Sequence, residues 1–251
     1  MRLTVIGCSG SGPGPDGPAS CYLVEQDGFR LVLDLGNGSL GVLSRYADVR
    51  TVDALVLSHL HADHCLDACS LVVAHRYHPG GAAAPIPLHG PAGTHDRLRA
   101  ARDPGAPGGL GDVFDFTDLT AGEREIGPFS VRFARVNHPV ETYAMRISAD
   151  GHTLTYSGDT GLSPALVELA RGSDLLLCES SFVEPTGAEP ANPPDLHLTG
   201  RQAAEHAAAA GVGRLLLTHI PMWTDRERVL AEAVGVFPSA ELVRSGSTYE
   251  L

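Results

Sequence analysis

The sequence has no run of about 18 apolar residues, the length that a membrane-spanning helix needs. Its 251 residues include only 18 lysines and arginines against 30 acidic residues, which gives a formal net charge of −12. It has no CxxC pair, and its five cysteines are an odd number. These absences argue against a membrane protein, a disulfide scaffold and stable binding of a long nucleic acid through its phosphates. The apolar stretch at the N-terminus, "MRLTVIGCSG", is also too short and too soon interrupted by glycine for a signal peptide. We therefore expect reduced thiols and a cytoplasmic protein.

Short apolar segments run through the chain, and their arrangement changes along it. Strand-like stretches dominate early, whereas strands and helices alternate in the second half. The predicted strands span 3–8, 20–25, 29–34, 53–58, 129–136, 142–148, 152–158, 174–179 and 214–219, and the main predicted helices span 66–77, 94–102, 164–171, 199–210 and 225–234. A Gly/Pro-rich stretch at 103–112 is predicted to be a surface loop. No linker-like break appears, so we predict one domain over residues 1–251, an α/β fold with two packed β-sheets and helices on both outer faces.

Several of these predicted strands end in a residue that can bind a metal or transfer a proton. His59 follows "VLS", His138 follows "ARVN", Asp159 follows "TYSG", Glu179 follows "LLLC" and His219 follows "LLLT". Strand ends gather at one edge of the sheet in α/β folds, and ligands bind at that edge. We therefore expect these side chains to meet at one site.

The segment "HLHADH", residues 59–64, places three histidines and one aspartate directly after an apolar strand. His59 and His61 are two residues apart and can point towards one ion, whereas Asp63 and His64 lie on the following turn and can reach a second. Imidazole and carboxylate ligands without a thiolate suit zinc first, with manganese or iron as alternatives. A solvated histidine-rich loop is the competing interpretation.

The pattern HxHxDH resembles the hallmark of the metallo-β-lactamase superfamily, and the resemblance covers nearly the whole chain. The stretches "NHPVETYAMRI", "SGDTG" and "CESSF", with "HLTGRQAAEHA" and "LLLTHIP" after them, resemble the phosphodiesterase branch that includes the tRNA-processing ribonuclease Z. The resemblance implies an αββα sandwich of two mixed β-sheets flanked by helices. It also implies a dinuclear metal site at one edge, where zinc would lower the pKa of bound water to about 7.

Carried over position by position, the resemblance assigns roles to nine residues. Two divalent metal ions would be held by His59, His61 and His138 and by Asp63, His64 and His219, with Asp159 bridging them. The catalytic residues would be Asp63, Glu179 and His197. His197 would act as general acid for the leaving alkoxide or as a clamp on the transition-state oxygens, and Glu179 would orient it. A purely structural role is the alternative for both Glu179 and His197.

The interval between His138 and Asp159 bears on the substrate. Only 20 residues separate them, so the long tRNA-gripping arm usual in ribonuclease Z is missing. The pattern looks closest to short bacterial enzymes regarded as cyclic-nucleotide phosphodiesterases, which "GCSGS", "LSHLHADHCLD" and "PPDLHL" match. We therefore predict a phosphodiesterase acting on a small phosphodiester, with a 3′,5′-cyclic nucleotide as the best guess. The alternatives are a ribonuclease Z-like endoribonuclease on tRNA or other RNA, a thioester or lactam hydrolase, and a non-catalytic metal-binding domain.

A few features stay open at the level of sequence. The superfamily suggests a homodimer. Trp223 could stack on a base or belong to the core or an interface. His75 and His78 could be surface or structural residues, and we expect His206 to be exposed on its helix.

Overall fold

The computed structural model describes residues 1–81, 83–102, 109–187 and 189–251, so most of the predicted loop at 103–112 lies outside the described residues. The strands are β1 Arg2–Gly7, β2 Ser9–Gly10, β3 Cys21–Gln26, β4 Phe29–Leu33, β5 Ala54–Val56, β6 Ile86–Gly90, β7 Phe114–Asp118, β8 Gly122–Ile126, β9 Phe129–Arg135, β10 Tyr143–Ala149, β11 His152–Tyr156, β12 Leu175–Glu179, β13 Arg214–Thr218, β14 Ile220–Pro221, β15 Glu241–Leu242 and β16 Thr248–Glu250. The helices are α1 Ser39–Leu43, α2 Ala62–Cys65, α3 Asp67–Arg76, α4 Thr94–Arg102, α5 Pro164–Ala170, α6 Gly200–Ala210 and α7 Arg226–Val234, and a 3-10 turn spans Val49–Thr51.

Two seven-stranded sheets form the frame of the molecule. The first has the order β16-β1-β3-β4-β5-β6-β7 and the second the order β15-β13-β12-β11-β10-β9-β8. Each sheet is mixed, because β16, β1, β3 and β4 pair antiparallel while β4 to β7 pair parallel. The second sheet repeats this arrangement, antiparallel from β8 to β11 and parallel from β11 to β15. A short parallel ribbon joins β2 to β14.

The alternation of apolar side chains along the strands produces four layers. Leu3 of β1 and Leu177 of β12 belong to one buried cluster between the two sheets. Because successive side chains of a strand point to opposite faces, Leu176 points away from that cluster and packs with α5, α6 and α7. The outer face of the first sheet packs in the same way on α3, through Leu71 and Val72. The layers are helix, sheet, sheet and helix, which confirms the predicted αββα sandwich.

Helix α6 shows how local signals and tertiary packing combine. Its Thr199 cap and Gln202 form the predicted capping box, and Gly211 ends the helix with a φ of 64°. The expectation that His206 is exposed is wrong, because this helix turns it against α5. There its Nε2 accepts a hydrogen bond from the backbone N–H of Ser163 at 3.0 Å.

Two further observations concern the cysteines and the length of the helices. All five thiols are unpaired, and all except Cys69 are buried. None of the helices in the described ranges combines the length and apolar character needed to cross a membrane.

Candidate metal centre and acid–base pair

The predicted site residues come from loops at one edge of the two sheets. After β5 the chain passes through His59 and His61 into α2, which carries Asp63 and His64. The second sheet supplies the others: His138 follows β9, Asp159 follows β11, Glu179 ends β12, His197 precedes α6, and His219 follows β13. The structure therefore brings both halves of the chain to the same place.

The donor atoms of these residues form overlapping groups. Within each group the nitrogen and oxygen atoms lie within 4.8 Å of one another, and the groups are His59, His61, His138 with Asp159; Asp63, His64 with His219; and Asp159, His197 with His219. Asp159 faces both sides, since its Oδ1 lies 3.2 Å from His64 Nε2 and its Oδ2 lies 3.7 Å from His59 Nε2. This geometry is compatible with one carboxylate shared between two ions.

In four of the five predicted histidine ligands, the ring nitrogen that points away from the cluster, here called the outer nitrogen, lies within hydrogen-bond distance of an oxygen atom. His138 Nδ1 donates to the carbonyl of Leu196 at 2.8 Å, and His59 Nδ1 lies 3.0 Å from Ser58 Oγ. His64 Nδ1 contacts Asp34 and His219 Nδ1 contacts Ser181 in the same way. A proton held on the outer nitrogen leaves the inner nitrogen as a lone-pair donor, which is the tautomer that a metal ligand needs.

The inner atoms converge in a way that fits divalent metals. His59 Nε2 lies 3.1 Å and His138 Nε2 lies 3.3 Å from His61 Nδ1, and the Nε2 atoms of His64 and His219 are 3.0 Å apart. Buried Asp159 Oδ1 accepts no hydrogen bond from the residues that the structure describes. Lone pairs and a buried carboxylate oxygen in such proximity need protons or cations between them. The donor set, imidazole nitrogen with carboxylate oxygen and no thiolate, suits zinc.

The local electrostatics favour the protonation state of a metal ligand at four of the candidate residues but not at His64. Burial lowers the pKa of His59 well below its ordinary value and also lowers the pKa values of His61 and His138, so these imidazoles are neutral near pH 7. Burial alone would raise the pKa of Asp159, but the surrounding imidazoles hold it well below its usual range. For His64, burial is outweighed by Asp159 and a second carboxylate, which raise its pKa, and a bound cation would displace that proton.

That second carboxylate, Asp34, is a site residue that the sequence reasoning missed. It is fully buried and accepts hydrogen bonds from the backbone N–H of Ser58 at 2.6 Å and from the Tyr156 hydroxyl at 2.7 Å, and its Oδ2 lies 2.7 Å from His64 Nδ1. Its backbone has a φ of 57°, a conformation that non-glycine residues rarely adopt. The available signal was its place at the end of a predicted apolar strand, as for the other site residues.

Glu179 holds His197 beside the candidate ligands. Glu179 is fully buried, and its Oε1 lies 2.9 Å from His197 Nδ1 and accepts a hydrogen bond from the backbone N–H of Thr160 at 2.8 Å. His197 is 11% exposed. Burial acts to lower its pKa, but the nearby carboxylates of Glu179 and Asp159 raise the pKa to about 9. The pair is thus a partly accessible imidazolium held by a buried carboxylate, an arrangement suited to donating a proton.

Ser181 connects this pair to a candidate ligand, and it was also missed. Its Oγ lies 2.9 Å from His219 Nδ1 and 3.1 Å from Glu179 Oε2. The hydroxyl can accept the proton of Nδ1 and donate its own to the carboxylate, which leaves His219 Nε2 facing the cluster. Glu179 therefore contacts His197 directly and is linked to His219 through Ser181. No local pattern in the sequence distinguishes Ser181 from its neighbour Ser180.

Two of the residues left open by the sequence, His75 and His78, lie outside the ligand cluster. His75 is buried, with its Nε2 3.0 Å from the carbonyl of Ala84, and His78 Nδ1 accepts a hydrogen bond from the backbone N–H of Gly80. Trp223 is 71% exposed, so it does not belong to the core.

Comparison with known proteins finds similarity along most of the chain. Residues 30–220 match the family model described as the beta-lactamase superfamily domain. Protein Rv1339 of Mycobacterium tuberculosis is 48% identical over 242 residues, which are 94% of this chain and 87% of the relative. YhfI of Bacillus subtilis, named a probable metallo-hydrolase, is 31% identical over the full length of both chains. A ribonuclease Z of Mycobacterium marinum is 30% identical over 249 residues, covering 87% of this chain and 86% of its own.

Solved structures agree on the fold. The crystal structure of the metallo-β-lactamase-fold protein YhfI superposes with a TM-score of 0.87 at 28% identity, covering 99% of both chains. A diphosphatase from the PhnP family superposes with a TM-score of 0.78 at 20% identity, over 100% of this chain and 97% of the other.

Proposed function

The chain belongs to the beta-lactamase superfamily, and we propose that it is a dinuclear-metal phosphodiesterase that hydrolyses a small phosphodiester. A 3′,5′-cyclic nucleotide, converted to the nucleoside monophosphate, is the best single candidate. The family and the relative YhfI support the coarser description, a metal-dependent hydrolase of the metallo-β-lactamase fold. The proposal of phosphodiester hydrolysis depends on one observation: the His197–Glu179 pair lies directly beside the two overlapping groups of candidate ligands.

Seven side chains would hold the metal ions: His59, His61 and His138 on one side, Asp63, His64 and His219 on the other, and Asp159 between them. Bound there, divalent ions would lower the pKa of a bound water and neutralise charge on the phosphoryl oxygens. Only two of the seven ligands, Asp63 and Asp159, carry a charge. With two divalent ions bound, the site would therefore have a net positive charge. That charge would attract an anionic diester even though the whole chain has a net charge of −12. We also keep Asp63 as a candidate catalytic carboxylate.

His197 supplies the proton for the leaving group in this proposal. As the oxygen of water forms a bond to phosphorus, the bond from phosphorus to the ribose oxygen breaks, and the departing alkoxide takes a proton from His197 Nε2. The water gives up one proton to solvent in this step, and His197 regains a proton from solvent before the next turnover. Nδ1 is the nitrogen that Glu179 holds, so Nε2 is the one available for transfer. The PhnP-family neighbour is a diphosphatase, which favours hydrolysis at phosphorus over lactam or thioester hydrolysis.

A ribonuclease Z-like endoribonuclease is the second candidate, because a relative of that name is 30% identical to this chain. Between His138 and Asp159 the chain forms only β10 and β11, joined by a tight turn at Asp150 and Gly151. This interval therefore has no long arm that could bind a tRNA, and the acidic net charge of the chain also disfavours tRNA binding. A salt titration of RNA binding separates the two candidates, since an RNA-gripping protein loses affinity steeply with salt.

A substrate panel with a His197→Ala variant tests the proposal. Zinc-loaded protein is assayed on cyclic AMP, bis-p-nitrophenyl phosphate, precursor tRNA, a thioester and a β-lactam. We expect turnover of the small diesters, and in His197→Ala a turnover lower by about 10²–10⁴ at unchanged metal content. Loss of metal from the variant would make His197 a ligand instead, and faster cleavage of precursor tRNA than of any small diester would favour the second candidate. The single domain, the cytoplasmic location and the homodimer stay predictions.

A further inference from the structure

Four exposed apolar side chains lie close in sequence to candidate metal ligands. Among the described residues, four of the eight large hydrophobic side chains classed as exposed follow a candidate ligand by two to four positions: Val140 after His138, Leu162 after Asp159, and Met222 and Trp223 after His219. They lie on three loops that also carry the candidate ligands His138, Asp159 and His219, whose donor atoms come together at the cluster. Grouped exposed apolar side chains mark a binding surface far more often than isolated ones do.

Trp223 is the most exposed of the four, at 71%, and a tight turn presents it. The backbone N–H of Thr224 donates to the carbonyl of Pro221 at 2.9 Å, so Met222 and Trp223 occupy the two central positions of the turn. At one end Pro221 pairs within the β2–β14 ribbon. At the other end Thr224 Oγ1 donates to the carbonyl of Ser181 at 3.0 Å.

Both anchors of the turn belong to the framework of the candidate metal centre. Ser181 contacts the ring of His219, and β14 begins one residue after His219. The backbone that carries the indole is therefore anchored at both ends of the turn, which reduces the ordering cost of binding. Four residue steps limit the Cα separation of His219 and Trp223 to about 14 Å. This limit is compatible with one nucleotide that places its phosphate at the cluster and its base at the indole.

We propose that Trp223 is the surface on which the base of a nucleotide substrate stacks while its phosphate lies at the metal centre. This proposal rests on the proposed function and narrows it, because it selects phosphodiesters that carry a planar base over aliphatic ones. Stacking on an aromatic side chain tolerates any base, since every base has a π-face. Truncating such a platform weakens binding by about 5- to 100-fold.

The chain contains a single tryptophan, so its fluorescence reports on Trp223 alone. Zinc-loaded protein is titrated with adenosine 5′-monophosphate, with excitation at the red edge of the indole band where adenine does not absorb. Ribose 5-phosphate is the matched ligand that keeps the phosphomonoester and lacks the base. We expect saturable quenching by the nucleotide, and binding of the sugar phosphate, measured by calorimetry, without quenching.

Two variants and one control extend the titration. Trp223→Ala should bind adenosine 5′-monophosphate about 5- to 100-fold more weakly and ribose 5-phosphate unchanged, whereas Trp223→Phe should retain most of the nucleotide affinity. Tyr77→Ala removes an aromatic side chain of similar exposure, 73%, at the end of α3 and should leave both affinities unchanged.

The outcomes separate this inference from the proposed function. Nucleotide binding by calorimetry with unchanged emission, or equal affinity in Trp223→Ala, overturns the stacking platform and leaves the phosphodiesterase standing. Failure of zinc-loaded protein to hydrolyse any small diester overturns the proposed function and this inference with it, whereas failure of both phosphomonoesters to bind an active protein overturns this inference alone. Emission that changes with protein concentration and not with nucleotide identifies the turn as an interface between copies of the chain, which also overturns the platform.

Discussion

At the scale of single residues, two side chains with oxygen atoms contact the outer ring nitrogens of candidate histidine ligands and orient their rings. Asp34 lies 2.7 Å from His64 Nδ1, and Ser181 Oγ lies 2.9 Å from His219 Nδ1. Each contact fixes the ring and the proton position of a histidine whose other nitrogen faces the cluster. Loss of such a partner usually lowers metal affinity by about 10- to 100-fold. His219 also has a φ of 57°, so packing must hold its backbone in an unfavourable conformation.

Ser181→Ala tests this control at His219. We expect zinc affinity to fall by about 10- to 100-fold at the site of His219, because the ring loses the acceptor that fixes its tautomer. A calorimetric zinc titration of metal-free protein should then resolve one weakened site and one unchanged site.

The neighbouring residue provides the matched control. Ser180 is also fully buried, and its hydroxyl donates to the carbonyl of Thr218 at 3.3 Å without contacting the cluster. Ser180→Ala should bind zinc as the unmodified chain does. Equal zinc affinities in the two variants would show that Ser181 does not position His219.

At the scale of elements, the sequence predicts those strands and helices whose own residues carry the signal. Strand β12 was predicted at 174–179 and spans Leu175–Glu179, because its apolar run is buried on both faces. Strand β8, "GEREI", was missed because it is charged and largely exposed; it is a strand through its pairing with β9. Helix α1 has five residues and no side-chain cap, so it too had no local signal.

The site residues also divide into those that the sequence predicts and those that it does not. Some candidate ligands could be predicted because His59, His138, Asp159 and His219 each follow an apolar segment, and segment ends meet in this fold class. The others could be predicted from the resemblance of "HLHADH" to a known family pattern. Ser181 and the partners of Asp34 could not, because their roles arise from contacts between residues far apart in the chain, such as that between Asp34 and Tyr156.

Helix α2 is positioned by the close approach of Gly36. A Cβ atom at Gly36 would lie 1.9 Å from the carbonyl oxygen of Asp63, whereas a Cβ at Gly41 in α1 meets nothing within 4 Å. Gly36→Ala should therefore lower the free energy of unfolding by about 1–3 kcal/mol and weaken zinc binding, since α2 carries Asp63 and His64. Gly41→Ala should stabilise the chain by about 0.5–1 kcal/mol. Denaturant unfolding and zinc titration of both variants measure the difference; unchanged zinc binding in Gly36→Ala would contradict it.

At the scale of the whole molecule, the candidate metal centre spans the two sheets. His59, His61, Asp63 and His64 follow β5 of the first sheet, and His138, Asp159 and His219 follow strands of the second. The buried cluster between the sheets also draws on both, for example through Tyr22 and Tyr156, whose rings are 5.0 Å apart. Metal ions bound here would tie the halves together, and we propose that residues 1–251 unfold as one domain.

Thermal unfolding with and without a chelator tests that proposal. We expect one cooperative transition in both conditions, with a lower Tm after metal removal. Metal at about 1,000 times its Kd stabilises the folded state by about 4 kcal/mol. Two transitions would mean that the halves fold separately, and an unchanged Tm would mean that the cluster binds no metal in the folded protein.

We propose that the seven-residue cluster hydrolyses phosphodiesters with two metal ions. The most direct measurement follows hydrolysis of cyclic AMP by chelated protein as zinc is returned stepwise, with the metal bound per chain determined at each step. We expect negligible activity without metal and a rise in activity that ends at two bound ions per chain. Activity that persists in metal-free protein, or two bound ions without hydrolysis of any phosphodiester, would contradict it.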